Sequence, residues 1–232
     1  MGAGRLVLWR HARTAYNASA RLQGQIDIPL DAVGRWQART AAARLLGRHE
    51  PALVVSSDLT RARETAAALA SGAGLDVVLD ERLRERAFGE WEGLSGDEIG
   101  ARWPQEYALW RGGGEPERVG AETRASVAAR MAEGVAAHLE SLSRTDTLVV
   151  VSHGAALSSV VAELLDMPAA SRAFAGMLNA HWAELVAARN DVRPAWRLVG
   201  YNIGPSDVSS DWNAGPDRAA DIDPDAETRD PD

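Results

Sequence analysis

The sequence contains no cysteine. Disulfide frameworks, thiolate nucleophiles, iron–sulfur clusters and cysteine zinc sites are therefore excluded, and nothing asks for an oxidising compartment. Lysine is absent too: all 25 basic residues are arginine. That removes Schiff-base chemistry, the pyridoxal phosphate anchor and the P-loop lysine together. An Ala-, Gly- and Arg-rich coding bias accounts for the replacement. Arginine nevertheless suits fixed phosphate recognition, because its planar fork grips two oxygens and stays charged. Histidine is scarce, with five residues and no His-x-x-x-His pair, so no metal site is expected. No apolar run approaches the ~20 residues of a membrane span, and Met1 to Arg5 lacks the form of a signal peptide. The expected location is the cytoplasm, without membrane association.

What remains is ample for a core: 232 residues, 46% of them hydrophobic, enough for one generous domain or two small ones. The net charge of -8 is unevenly spread. From Asp207 to Asp232 nine acidic residues face two arginines, a net -7, so residues 1–206 carry only -1. A nearly neutral body gives no basic surface excess for nucleic acid. Residues 207–232 read as an acidic tail without structure, most clearly from Ala214 onward.

Apolar runs at Arg5–Trp9, Leu53–Val55, Val77–Leu79, Leu148–Val151, Trp182–Val186 and Trp196–Val199 read as strands. Between them, Ala32–Leu46, Arg61–Ser71, Ala121–Ser141 and Ala155–Leu165 repeat apolar residues at helical spacing. The alternation predicts a three-layer α/β/α sandwich with a mostly parallel central sheet, spanning residues 1–206. Residues 93–120, with Trp103, Trp110 and Gly112-Gly113-Gly114, break the alternation and read as a cap-like insertion.

In such a sheet, ligands bind beyond the carboxyl ends of the strands. The first strand ends in Arg10-His11, followed by Arg13 and Asn17. A lone histidine there is more often structural. A second strand, however, runs into Ser152-His153-Gly154, and a third into Ser56-Ser57-Asp58-Leu59-Thr60-Arg61, opening a helix at the same edge. Two histidines, two arginines and helix N-termini make a pocket for a dianionic tetrahedral group. Neutral imidazole is nucleophilic near pH 7 without a metal. A proton donor for the leaving alkoxide is needed, and Glu85, Glu90 and Glu92 all qualify. His49 and His138 read as surface residues, and His181 has no assigned role.

The motifs resemble the histidine phosphatase superfamily, which includes cofactor-dependent phosphoglycerate mutase. The resemblance spans roughly residues 5–200. It rests on Leu8-Trp9-Arg10-His11-Ala12, Asn17, Leu22-Gln23-Gly24, Asp27-Ile28-Pro29-Leu30, Ser57-Asp58-Leu59-Thr60-Arg61-Ala62, Leu83-Arg84-Glu85 with Gly89, Trp91 and Gly93, and Val151-Ser152-His153-Gly154, in that order. It implies that His11 becomes phosphorylated, that Arg10, Arg61 and His153 hold the transferring oxygens, and that Glu85 is the proton donor. Asn17, Gln23 and Gly24 match positions that contact the phosphoryl group or close the pocket rim. No cofactor is implied. The expected partner is a small phosphomonoester, and a homodimer is compatible with the reading.

Two positions depart from the family pattern. Ala12 stands where glycine is usual and needs a backbone that tolerates a Cβ. Arg13 stands where an acid or amide is usual. It is either a solvent-facing arginine or a contact for a second anionic group of the substrate. Phosphoglycerate mutases carry a longer basic insertion after the Glu motif, whereas Leu94–Glu122 is short and centred on Gly112-Gly113-Gly114-Glu115-Pro116. This favours hydrolysis over retention of the phosphoryl group. The alternatives are a mutase and a non-catalytic phosphate-binding module. Within the family the chain is most similar to glucosyl-3-phosphoglycerate phosphatases, on Gly89-Glu90-Trp91-Glu92-Gly93 and Asn179-Ala180-His181-Trp182 among others. That implies a phosphorylated sugar or glycerate as substrate.

Overall fold

Six strands build one sheet, and their polarity places the polar cluster. The computed structural model describes residues 2–169, 171, 173–190, 192–205 and 210–213. In chain order they form β1 (Arg5–Arg10), α1 (Ala15–Ala18), α2 (Ala32–Leu46), β2 (Pro51–Ser56), α3 (Thr60–Ala73), β3 (Val77–Leu79), α4 (Gly96–Arg102) and α5 (Pro104–Arg111). Then come α6 (Arg124–Leu139), β4 (Thr147–Ser152), α7 (Gly154–Leu164), β5 (Trp182–Ala187) and β6 (Trp196–Ile203). Every strand and helix expected from the apolar pattern is present; Ala32–Leu46 and Val77–Leu79 keep their expected ends and the others shift.

The sheet order is β3-β2-β4-β1-β5-β6. The pairings β2–β3, β2–β4 and β1–β4 are parallel, while β5 pairs antiparallel with both β1 and β6. The sheet is thus mostly parallel, with β5 alone reversed. Alternating side chains of the central strands feed two cores. Leu6, Leu8, Leu148 and Val150 pack with Val127, Met131 and Val160 of α6 and α7. Val7, Trp9, Val149 and Val151 pack with Ala38, Leu45, Ala66 and Leu69 of α2 and α3. The helix that follows β1 covers one face and the helix that follows β4 covers the other. The crevice between these two strand ends is therefore the topological switch point.

Residues 93–120 hold α4 and α5 around a third small core of Phe88, Trp91, Ile99 and Val119. Trp110 meets Trp91 edge-on at 5.8 Å and stacks on Tyr107 at 5.8 Å, geometries that suit the ring quadrupoles. The segment is tied down at Gly89, whose φ of +58° and contact with the Val119 carbonyl leave no room for a Cβ.

Of the acidic tail, Ser210–Asn213 form a 3-10 turn that packs on the body. Trp212 is buried against Trp36 at 5.1 Å between centroids. Apart from this turn, the tail expected over 207–232 lies outside the described residues. No helix among the described residues is long and apolar enough to cross a membrane.

Candidate active site

Strand register makes the site. β1 and β4 are paired parallel with Arg10 opposite Ser152, so the next residues, His11 and His153, leave the sheet together. Their rings stand 5.1 Å apart, at 2% and 0% exposure. The side chain of Arg61, in the first turn of α3, completes the group: its Nε donates to His153 Nδ1 at 3.2 Å. α3 starts where it does because Asp27, from a distant loop, accepts from Thr60 N at 2.7 Å and Thr60 Oγ1 at 2.8 Å. This cap has no local signal in the chain.

The His11 ring is oriented by one bond. Its Nδ1 lies 2.7 Å from the Ala12 carbonyl, and a carbonyl only accepts, so the proton sits on Nδ1. Nε2 therefore carries the lone pair and has no protein partner among the described residues. Burial, then Arg61 and Arg10, hold the imidazole well below its ordinary value of 6.5. The neutral, nucleophilic form is the one present at neutral pH. Ala12 is itself buried, with its N–H on Thr65 Oγ1 at 3.1 Å, and it is not among the residues with positive φ. The loop thus accepts a Cβ without strain.

His153 has the opposite tautomer. Its Nδ1 accepts from Arg61, so Nε2 donates to Ser57 Oγ at 2.9 Å. Burial and the neighbouring Arg61 and His11 lower this imidazole well below 6.5 as well. Arg61 is fully buried, and its Nη1 and Nη2 donate to the carbonyls of Ile26 at 2.7 Å and Gly24 at 2.6 Å. Burial lowers it to about 10, with Glu85 and Asp27 opposing, so it remains charged. Five guanidinium N–H groups less three bonds leave two for an anion. Arg10 donates through Nη1 to the Met177 carbonyl, while its buried Nε finds no partner among the described residues. An orphaned cationic donor beside a nucleophile is what an oxyanion would satisfy.

Asn17, in α1, and Gln23 both follow His11 in the chain. Thr14 caps α1 in a reciprocal box with Asn17. Asn17 Oδ1 accepts from Thr14 N at 3.1 Å and Asn179 Nδ2 at 3.2 Å, and Gln23 Oε1 accepts from Thr14 Oγ1 at 2.9 Å. With both oxygens occupied, both amide NH2 groups are available as donors. Gly24 has φ +52°, and a Cβ there would strike the Glu92 carboxylate.

Among the three candidate acids, geometry separates Glu85. Its Oε1 accepts from Ala156 N at 2.8 Å and Arg86 N at 2.8 Å, and Oε2 accepts from Ala155 N at 3.2 Å. It therefore sits on the N-terminus of α7, directly after His153. Glu92 instead braces Phe88 N at 2.8 Å, and Glu90 is exposed. Beside Ala155 opens a cavity of about 540 Å³, also lined by Arg86, Phe88, Trp110, Arg111 and Arg124.

Arg13 is drawn elsewhere. Its Nε pairs with Asp31 at 2.9 Å and its Nη1 donates to the Asn213 carbonyl, so its fork joins α2 to the C-terminal turn. Three supporting residues had no assigned role from the sequence. Ser57 seats His153, and Asn179 Nδ2 donates to the His11 carbonyl at 3.1 Å. Gln37 accepts from Arg13 N at 3.0 Å and donates to the Trp212 carbonyl at 2.8 Å. Ser57 and Asn179 stood in motifs whose meaning was structural as much as functional, whereas Gln37 stood in none. His49, expected at the surface, is instead buried against Glu184 at 3.0 Å with 7% of its side chain exposed. No cluster of metal-ligating side chains occurs among the described residues.

Comparison with known proteins agrees with this constellation. Residues 6–203 match the model of the histidine phosphatase superfamily, branch 1. The chain is 42% identical to glucosyl-3-phosphoglycerate phosphatase of Mycobacterium tuberculosis (strain ATCC 25618 / H37Rv), over 91% of this chain and 99% of that one. A solved structure of mycobacterial glucosyl-3-phosphoglycerate phosphatase with VO3 superposes at a TM-score of 0.78 with 40% identity, covering 86% of this chain and 99% of that one. A probable phosphoglycerate mutase of Escherichia fergusonii is 37% identical over 71% of this chain and 76% of its own. With the family model covering nearly the whole described body, the chain belongs to the histidine phosphatase superfamily.

Proposed function

We propose that the chain is a phosphomonoester hydrolase that passes the phosphoryl group through His11, with a phosphorylated sugar or glycerate such as glucosyl-3-phosphoglycerate as substrate. The observation that carries the reaction is the His11 tautomer. Nδ1 is spent on the Ala12 carbonyl, so Nε2 is free to attack phosphorus. As the Nε2–P bond forms, the bond from phosphorus to the ester oxygen breaks, and Glu85 gives that oxygen its proton. Glu85 then takes a proton from water, whose oxygen displaces Nε2. Arg10, Arg61 and the Asn17 and Gln23 amides spread over the equatorial oxygens. His153 joins them by turning its Nε2–H from Ser57 to a phosphoryl oxygen. Residues 1–206 act as the catalytic domain and 93–120 as its cap. A cysteine-free chain fits a reducing compartment, and the cytoplasm is the proposed location.

The substrate reading is supported by coverage: the phosphatase relative aligns over 99% of its length, the mutase relative over 76%. The test is chemical. Incubation with labelled substrate is expected to leave acid-labile, base-stable phosphate on the wild type and none on His11→Ala. Full turnover by His11→Ala would remove the mechanism. Feeding 3-phosphoglycerate with 2,3-bisphosphoglycerate separates the rivals: free phosphate supports hydrolysis, and 2-phosphoglycerate supports a mutase. Bound phosphate without turnover of any phosphomonoester would mark a binding module.

A further inference from the structure

Glu85 is carried by a stretch that belongs to no strand or helix. It follows the 3-10 turn Glu81–Leu83, and the carbonyls of Arg82, Leu83, Arg84 and Glu85 have no backbone partner among the described residues. Leu83 is buried and the other three are half-buried. Carbonyls in such surroundings need donors, so side chains must supply them. Ser152 Oγ donates to the Leu83 carbonyl at 2.7 Å, and a single arginine serves the other three.

That arginine is Arg130, in the second turn of α6. Its Nη1 donates to the Arg82 carbonyl at 2.8 Å and the Arg84 carbonyl at 2.7 Å, and its Nη2 to the Glu85 carbonyl at 2.9 Å. The two remaining N–H groups grip Glu122: Nε donates to Oε1 at 2.9 Å and Nη2 to Oε2 at 2.8 Å. All five donors of the guanidinium are thereby used, in a planar fork that an ammonium cannot reproduce. Glu122 is fixed in its turn. Its Oε2 accepts from Ala87 N at 2.9 Å, and its own N–H donates to the Ala87 carbonyl at 2.9 Å. The main chain is thus held on both sides of Glu85, with one further bond from Gln25 Nε2 to the Glu85 carbonyl at 3.0 Å. Arg130 makes no hydrogen bond to the Glu85 carboxylate, which rests on the N–H groups of Ala155, Ala156 and Arg86.

We infer that Arg130, braced by Glu122, is a positioning residue for Glu85, fixing the main chain from which the acid reaches the ester oxygen. This rests on Glu85 being the proton donor of the phosphatase reading, and it adds two residues to that reading. The carboxylate is seated on α7 and the backbone on α6, so both ends of the Glu85 side chain are set. Without Arg130 the carbonyls of Arg82 and Arg84 have no partner among the described residues, and that of Glu85 keeps Gln25 alone. A proton donor must come within a hydrogen bond of the oxygen it serves, and an ångström of drift costs on the order of 10^2 in rate. The cost falls on substrates whose leaving group needs the proton.

The experiment compares benzyl phosphate, whose alkoxide must be protonated, with p-nitrophenyl phosphate, whose phenolate leaves unaided. The readout is the ratio of their kcat values, with KM measured alongside. In Arg130→Gln, kcat for benzyl phosphate should fall about 10- to 100-fold and that for p-nitrophenyl phosphate less than about threefold, with both KM values nearly unchanged. Glu122→Gln keeps the shape and leaves Arg130 in place. It should move the ratio the same way by a smaller factor, and it carries the test where Arg130→Gln fails to fold. Arg130→Lys should recover little, since three donors cannot rebuild the fork. In a Glu85→Gln background neither variant should move the ratio further, because residues that act through one group are not additive with its loss. A ratio unmoved in both variants, or moved equally far in the Glu85→Gln background, overturns the inference and leaves the phosphatase reading standing. A ratio that Glu85→Gln itself leaves unchanged removes Glu85 as the donor and the inference with it. Failure of the wild type to hydrolyse either ester overturns both.

Discussion

The phosphoryl end of the site and the cavity beside the cap are built from different material. At the phosphoryl end, His11 and His153 sit at the ends of adjacent central strands, Ser57 and the Ala12 and Gly24 carbonyls fix each ring or guanidinium, and Asn179 holds the His11 backbone carbonyl. Buried and hydrogen-bonded on a rigid sheet, these groups have little freedom to change role. The cavity is lined from α5, the cap and the start of α6, with arginines whose bonding is partial. The contrast separates two determinants. On the proposed reading, the sheet sets the reaction and the cap sets the substrate.

The sharpest way to break the comparison is His11→Ala, which removes the nucleophile and should lower turnover by on the order of 10^5 with every substrate. A loss confined to one substrate, in steady-state kinetics, would mean that the reaction is not common to all. Glu85→Gln comes next. Loss of the acid should cost about 10^2 to 10^4 in kcat for alkyl esters and much less for p-nitrophenyl phosphate, whose phenolate leaves unaided. Equal losses for both would deny Glu85 the proton transfer.

A smaller effect is expected from the C-terminal turn. Trp212 Nε1 donates to the Asn179 carbonyl at 3.0 Å, and Asn179 in turn holds the His11 carbonyl and Asn17. Trp212→Ala should cost about 3 kcal/mol in denaturant unfolding and lower kcat/KM severalfold for all substrates alike. Trp212→Phe keeps the ring packing but not the bond, so it should recover most of the stability and only part of the activity. A change in substrate preference instead would tie the C-terminal turn to the cap.

The smallest effect concerns pH. The unfolded chain protonates its histidines near 6.5, whereas folded His11 and His153 resist protonation well below that. At intermediate pH the unfolded state binds more protons, so this contribution to stability is complete above 6.5 and is lost as pH falls below it. Melting temperature should therefore drop on acidification. Saturating inorganic phosphate, bound beside both rings, should make the drop shallower, because the anion favours the imidazolium and brings the folded groups back toward their ordinary value. An identical profile with and without phosphate would separate the anion from the two histidines.

Several features were legible from residue order. The apolar runs announced the six strands of the described sheet, and Arg10-His11 and Ser152-His153 at two strand ends announced the pair of histidines that meet there. Arg13 was not legible. A choice between solvent and substrate could not anticipate Asp31 and the Asn213 carbonyl, because the turn carrying Asn213 is far away in sequence. Ser57, Gln37 and Asn179 escaped for the same reason: each acts through a partner that only packing supplies. The buried pairing of His49 with Glu184 crosses from the loop before β2 to β5.

By itself, the sequence determined the reaction class. The absence of cysteine and lysine removed rival chemistries, and period-two and helical spacings placed histidines and arginines at strand ends and helix starts. These are local properties, carried by neighbours in the chain. Only the tertiary structure decided the rest. Parallel register between β1 and β4 brought two distant histidines to 5.1 Å, opposite hydrogen bonds gave them opposite tautomers, and the N-terminus of α7 received the Glu85 carboxylate. Proton position and electrostatic environment depend on atoms within a few ångströms, whatever their separation in sequence.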